Sequence, residues 1–405
     1  MKTIFKFLIV FILIIIFIYV CNISFMPNSI ILIQGEKFDL NTLLGLSIKQ
    51  VENNGTVQAS SLLNKEKVSE VGKADFNLSL FNTIQLKEIT VNVIPKTKVV
   101  PIGKSIGMKL YTDGVLVVGM SEIEGKKPYQ NSGIEEGDRI VEVNNNQIDT
   151  TDELINTVNR SNGQEVEIKY IETDNNLKTT SIKPVKTGNE YKLGLWVRDA
   201  AAGVGTLTFY EPESQMYAAL GHGITDIDTS ELINIASGEL VTTNILSIVK
   251  GKKGEPGEIR GTIENGYEVG KVYKNTRFGV YGNLTNKNIF NISNNNAIDV
   301  ASREEVEKGK AEILCELENG NTKNYEIEIQ KIFTNNNEDN KSMLIKVTDD
   351  ELIEKTGGII QGMSGAPIIQ NGKFIGAVTH VLVSDPTQGY AVFADIMIKQ
   401  MKEVD

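Results

Sequence analysis

Gly362-Met363-Ser364-Gly365-Ala366-Pro367 sets one serine between two glycines, near the end of a 405-residue chain. A serine hydroxyl is a weak nucleophile until a base takes its proton, a third group orients that base, and N–H donors meet the oxyanion. The glycines would let the loop turn so that the amides of Gly362 and Ser364 point at one spot. Only two histidines exist, His222 and His380, so any imidazole chemistry uses one of them. His222 sits in Ala219-Leu220-Gly221-His222-Gly223-Ile224-Thr225-Asp226, flanked by glycines after an apolar run. His380 follows the serine in GAVTHVLV, where alternation puts it on the face of Val378 and Gly376 and suggests a buried or pocket-lining role. The third member is open on pattern alone: Asp226, Asp228, Asp349, Asp350 and Asp395 all qualify. Asp349 ends an apolar strand pattern, MLIKVTDD, but Thr348-Asp349-Asp350-Glu351 also reads as a cap for ELIEKT.

Such groups need rigid elements behind them. From about residue 190 onward the chain shows little helix signal and many short strand patterns: KLGLWVRD, VGTLTFYE, LVTTNILSIV, RFGVYGNL, YEIEIQKIF, SMLIKVTD and KFIGAVTHVLV. Asn371-Gly372 marks a hairpin between APIIQ and KFIGAV. Many short strands with Gly and Asn turns predict a sandwich or a pair of barrels. The order of base before nucleophile is the one chymotrypsin-like folds use. Gly362-Met363-Ser364-Gly365-Ala366-Pro367 also resembles their G-x-S-G-x-P nucleophile loop.

Upstream, GVLVVGM (114–120), NSGIEEGDRIVEVNNNQI (131–148) and TTDELINTVNR (150–160) form a second unit. Thr150 and Glu153 read as a capping box, and Leu154, Ile155 and Val158 as the apolar stripe of a helix. The stretch 99–187 resembles a PDZ domain of the bacterial, protease-associated kind. That resemblance implies a groove where a peptide adds a strand beside the helix. Ser105-Ile106-Gly107-Met108 matches the carboxylate loop, and Leu154 and Val158 are expected to line the groove. The expected peptide-binding residues are therefore Ile106, Gly107, Met108, Leu154 and Val158.

Residues 29–96 alternate in short runs such as SIILIQ, FNLSLF and EITVNVIP, which predicts a small β module without catalytic groups. Before it, Lys2 and Lys6 precede an apolar run close to the ~20 residues that span a bilayer. No small-x-small cleavage site follows, so an uncleaved anchor is expected, with the rest of the chain outside the cytoplasm. Two cysteines, Cys21 and Cys315, offer no disulfide framework. A net charge of -11 argues against nucleic acid as a partner. No phosphate loop, dinucleotide fingerprint or clustered metal ligands occur, so no cofactor is expected. Asn-rich patches at 294–296 and 335–337 read as exposed loops.

The whole set is similar to the stage IV sporulation protein B family of membrane-anchored sporulation serine peptidases. The matching stretches are ITVNVIP (89–95), the PDZ-like unit, LGLWVRDAAAGVGTLTFYEP (193–212), ALGHGITD (219–226), KGKAEILC (308–315) and residues 356–390. The resemblance implies a mainly β protein. Its expected parts are a membrane anchor or signal (1–27), a small β module (28–97), a PDZ domain (98–188) and a chymotrypsin-like double β-barrel peptidase domain (189–405). It implies Ser364 as nucleophile, His222 as base, Asp349 as orienting acid, and Gly362 with Ser364 as oxyanion hole. It also implies secretion from the forespore into the space between the spore membranes, self-cleavage, and cutting of a membrane-bound regulator of an intramembrane protease. That step would trigger sigma-factor activation during sporulation. The alternative is a catalytically inactive, PDZ-containing peptide-binding signalling protein.

Overall fold

The computed structural model describes residues 2–38, 46–51, 67–80, 83–334 and 340–403. The patch at 335–337 lies outside them, while the one at 294–296 is exposed, in a 3-10 turn. Helix α1 (Lys2–Phe25) leaves apolar side chains such as Phe11, Leu13 and Phe17 exposed. Among the described residues no helix is long and apolar enough to cross a membrane. The anchor expected over 1–27 therefore rests on the sequence.

Strands β1 (Ser29–Ile33), β2 (Leu46–Gln50), β3 (Gly72–Leu80) and β4 (Ile84–Ile94) form one four-stranded sheet in the order β1-β4-β3-β2. Its alternating side chains bury Leu32, Phe76, Val91 and Val93 on one face. On the other, Ile31, Ile33 and Ile94 join the core of the C-terminal half. The module is thus packed against the rest of the protein.

The next strand, β5 (Lys98–Met120), runs for 23 residues and crosses two units. Its end, from Val115, pairs with β6 (Arg139–Val143), which carries β7 (Asn146–Gln147) at its side. Helix α2 (Thr151–Arg160), β8 (Val166–Ile171) and β9 (Leu177–Ile182) complete this unit. Thr150 and Glu153 form the reciprocal capping box that their spacing predicted. Such a cap is worth about 1 kcal/mol, and it holds Leu154 and Val158 in a core with Val117, Ile140 and Ile168.

The small hairpin of β10 (Val185–Thr187) and β11 (Glu190–Lys192) leads to the 17-residue β12 (Leu195–Glu211). β13 (Met216–Ala219), β14 (Ile235–Val249), β15 (Glu258–Thr276) and β16 (Gly279–Leu284) follow. Their ladders run β12-β13-β16-β15-β14-β5, and β12 pairs with β5 again. The first half of β5 therefore belongs with the strands after residue 190. Ile106, Met108 and Leu110 are buried there with Leu207, Leu220 and Leu240.

A two-residue strand, β17 (Ile298–Asp299), precedes a closed six-stranded barrel. Its strands are β18 (Gly309–Glu318), β19 (Asn321–Ile332), β20 (Met343–Val347), β21 (Pro367–Gln370), β22 (Lys373–Val381) and β23 (Gln388–Phe393), ordered β18-β19-β20-β23-β22-β21. Asn371 and Gly372 make the β21–β22 turn with φ of 52° and 75°. Two successive positive values match the right-handed twist of the strands, and Asn-Gly tolerates them. Helix α3 (Asp350–Thr356) bridges β20 and β21, and α4 (Ala394–Lys402) ends the described chain. Cys315 is a buried free thiol in the barrel core.

Arg303 clamps α4 to the barrel by donating from Nε to Asp395 Oδ2 at 2.7 Å and from Nη2 to Oδ1 at 3.0 Å. Asp395 is 1% exposed, so removing one partner strands the other charge away from water. Asp395→Ala is expected to lower folding stability by about 3–5 kcal/mol, read as a shift of the urea unfolding midpoint.

Candidate active site

The serine loop is stitched on both sides. Thr206 of β12 gives its backbone N–H to Ser364 O at 3.0 Å and its hydroxyl to Gly362 O at 2.7 Å. Gly365 N–H donates to Val378 O of β22 at 2.7 Å, and Gln361 exchanges bonds with Gly257 and Ile259 beside β15. These bonds engage the loop's carbonyls and the Gly365 amide. Among the described residues, the amides of Gly362 and Ser364 donate to no acceptor. Two idle N–H groups in one turn suit a developing negative charge.

Glycine is required at two points. Gly362 has φ +97°, a value that side chains rarely adopt, and a Cβ there would press on Ile259 at 3.0 Å. A Cβ on Gly365, with φ +96°, would lie 2.4 Å from Thr206 O and 2.5 Å from Leu220 N. Gly365 is therefore where the serine loop touches the chain that carries the histidine.

That chain leaves β13 through Leu220, a non-glycine residue at φ +70°. Such a backbone costs of order 1–3 kcal/mol; burial of the Leu220 side chain among Met108, Leu207 and Leu240 offsets it. The turn swings His222 over the cavity. His222 Nδ1 lies 2.8 Å from Gly223 O. A carbonyl only accepts, so Nδ1 holds the proton in the neutral ring and Nε2 is left as the basic atom. Burial lowers the His222 pKa below its usual value, partly countered by the Gly223 carbonyl. The ring is thus neutral at pH 7, as a base must be.

His222, Ser364, Gly362, Thr379, His380 and Arg277 line one cavity of ≈ 1000 Å³. The Ser364 hydroxyl donates to Thr379 O at 2.9 Å, so proton transfer to His222 needs a rotation about the serine side chain. His380 stands with its ring centroid 5.3 Å from that of His222. It lines the cavity but is exposed, unlike buried Val378, because the β22–β23 register shifts between the two.

The carboxylates expected as a third member stand elsewhere. Asp349 caps α3 by accepting from Leu352 N at 2.9 Å, and also accepts from Glu326 N at 3.3 Å. It is absent from the cavity lining. Asp350 is exposed in the first turn of α3, and Asp395 is held by Arg303. Asp226 and Asp228 both pair with Arg198. The group that fixes the His222 tautomer is the Gly223 carbonyl.

The expected peptide-binding residues divide. Ile106, Gly107 and Met108 form no carboxylate loop. They lie mid-strand in β5, with Gly203–Gly205 of β12 on one edge and Leu240–Thr242 of β14 on the other. A strand paired on both edges has no amides to offer a ligand. Leu154 and Val158 are buried in their own core and also floor a cavity of ≈ 540 Å³ beside α2. Thr206 was not anticipated; within GVGTLTFYE only its cross-strand neighbours distinguish it.

Four outcomes are expected. Thr206→Val keeps the shape and deletes one hydrogen bond, so phosphonate labelling of Ser364 should slow about tenfold. Asp349→Asn preserves a good cap and should leave that rate near wild type; a fall of about 10⁴ would instead make Asp349 the orienting acid. Labelling should keep its full rate as pH falls to ~6.5, the ordinary histidine value, with its acid limb below it. Across the window from there down to the depressed native pKa, the unfolded chain binds a proton that the native one does not. Folding stability should therefore drop as pH falls through that window.

Comparison with known proteins places these features. Residues 189–398, just over half of the chain, match the SpoIVB peptidase S55 family, and residues 101–183 match the PDZ domain family. No curated protein matches. Among solved structures, the PDZ domain of the SdrC-like protein from Listeria monocytogenes is similar at 22% identity and TM-score 0.18. That match covers 21% of this chain and 87% of the other. A likeness of that size carries no argument. The peptidase match does: the chain belongs to the SpoIVB S55 family of serine peptidases, with a PDZ domain ahead of the peptidase region.

Proposed function

We propose that this chain is an extracytoplasmic serine endopeptidase, with Ser364 as nucleophile, His222 as base and the amides of Gly362 and Ser364 as oxyanion hole. The observation that carries the reading is the stitched serine loop, whose two unengaged amides share a cavity with a histidine basic at Nε2. Ser364 Oγ bonds to the scissile carbonyl carbon while Nε2 takes its proton. The carbonyl oxygen becomes the oxyanion held by the two amides. His222 then returns the proton to the leaving amine as the C–N bond breaks, and water repeats the sequence to release the acyl group. The ring of ladders β12-β13-β16-β15-β14-β5, beside the closed barrel, supports a two-barrel reading with the cavity between them.

Family membership supports a biological setting. The chain is read as held in a membrane by residues 1–27 after export from the forespore. It cleaves itself and cuts a membrane-bound regulator, which starts sigma-factor activation during sporulation. Lys2 and Lys6 at the start of the otherwise apolar α1 support the anchor. A second reading, an inactive peptide-binding signalling protein, is favoured by the present bond of Ser364 to Thr379 O and by the lack of a carboxylate at His222 among the described residues.

Intact-mass analysis of the full chain decides between them. Wild type should shorten on incubation, and Ser364→Ala should stay whole, since loss of the nucleophile costs about 10⁶ in rate. Equal shortening of both chains would remove Ser364 from the mechanism. A folded wild-type chain that neither shortens nor takes up a phosphonate would be the inactive binder.

A further inference from the structure

Strand addition is how PDZ domains take peptides: the ligand lies antiparallel to a strand and beside a helix. In this protein a strand of the chain itself pairs with the end of β5, close to α2. Leu195, Trp196, Val197 and Arg198 pair antiparallel with Met120, Gly119, Val117 and Leu116 of β5. Leu195 and Val197 pack on the core that holds Leu154 and Val158, while Trp196 points out and is 63% exposed. Asp199 accepts from Thr151 N at 2.7 Å, at the N-terminus of α2. The cavity of ≈ 540 Å³ beside α2 is walled by this strand and the helix.

The same five residues reach the histidine loop. Arg198 Nη1 bonds to Asp226 Oδ2, and Nη2 to Asp228 Oδ2 at 2.7 Å. The Asp226 side chain is fully buried and also accepts from the amides of Asp228 and Thr229. Burial pushes its pKa up, but those amides and Arg198 outweigh this and hold it low. Asp226 lies four positions after His222. Further along, β12 carries Thr206, the clamp on the serine loop.

We infer that residues 195–199 are the resident ligand of the PDZ groove, and that an extended segment of another protein with the pattern Leu-x-Val-x-Asp binds there by displacing them. Displacement withdraws Arg198 from Asp226 and loosens the loop that carries His222. Occupancy of the groove in trans therefore slows the peptidase. This coupling rests on the reading of His222 and Ser364 given above; the exchange in the groove does not.

The test uses the full chain in detergent micelles and a fluorescent synthetic peptide, LGLWVRDA, copied from residues 193–200. Binding is measured by anisotropy in the Ser364→Ala background, where no cleavage intervenes. Val197→Asp weakens the resident strand, so the peptide should bind it about tenfold tighter or more than the parent chain. Ile155→Asp, on the exposed side of α2 in the groove wall, should abolish binding in either background. Equal affinity with and without Val197→Asp, or binding indifferent to Ile155→Asp, overturns the exchange.

For the coupling, saturating peptide should slow phosphonate labelling of Ser364 in the Val197→Asp chain about tenfold, the effect of ~1.4 kcal/mol on a rate. An unchanged labelling rate overturns it. Failure of the peptide-free wild type to label would count against the peptidase assignment and the coupling, while the anisotropy comparison still decides the exchange.

Discussion

Thr206 ties the serine loop to the rest of the molecule. One residue of β12 holds Gly362 O through its hydroxyl and Ser364 O through its amide. In the same turn the amides of Gly362 and Ser364 donate to no acceptor among the described residues. A peptide plane is rigid, so each of these N–H groups is aimed by the carbonyl before it: Gln361 O accepts from Ile259 N at 2.8 Å and Met363 O from Ala366 N at 2.9 Å. The turn that carries both amides is anchored to a strand far away in sequence, 156 positions for the hydroxyl bond.

β12 is the common structural member. Its start covers the PDZ helix and core, Arg198 anchors the loop after His222, and Thr206 grips the serine loop. β5 runs alongside it over most of the same length, in the PDZ unit at one end and in the peptidase core at the other. Two long paired strands bend as a unit, so the PDZ and peptidase regions cannot be treated as beads on a string. The small N-terminal module is also packed in through Ile31, Ile33 and Ile94.

Electrostatics in the site come from burial and backbone dipoles more than from paired charges. His222 is kept neutral by desolvation, and its tautomer is set by a carbonyl. A carbonyl orients a ring without the full negative charge that would favour the imidazolium. The candidate carboxylates are engaged in structure: Asp226 and Asp228 with Arg198, Asp349 in the α3 cap, and Asp395 with Arg303.

Local chemistry was legible in the residues alone. The Asn371-Gly372 hairpin, the Thr150–Glu153 box and the alternation of the barrel strands all depend on neighbours within a few positions, and the structure contains each of them. The motifs around His222 and Ser364 and the long stretches about them also sufficed to point to the family. Whatever needed a partner far along the chain was not legible. Ser105-Ile106-Gly107-Met108 has the composition of a carboxylate loop, yet two flanking strands claim both of its edges. Asp349 has the position of an acid and the geometry of a cap. Val378 and His380 share a parity in the sequence, but a register shift between them puts one inside and the other out. The amino-acid order determines which hydrogen bonds each segment is able to make; folding decides which are made, because a donor or acceptor engaged by a distant strand is no longer free for chemistry.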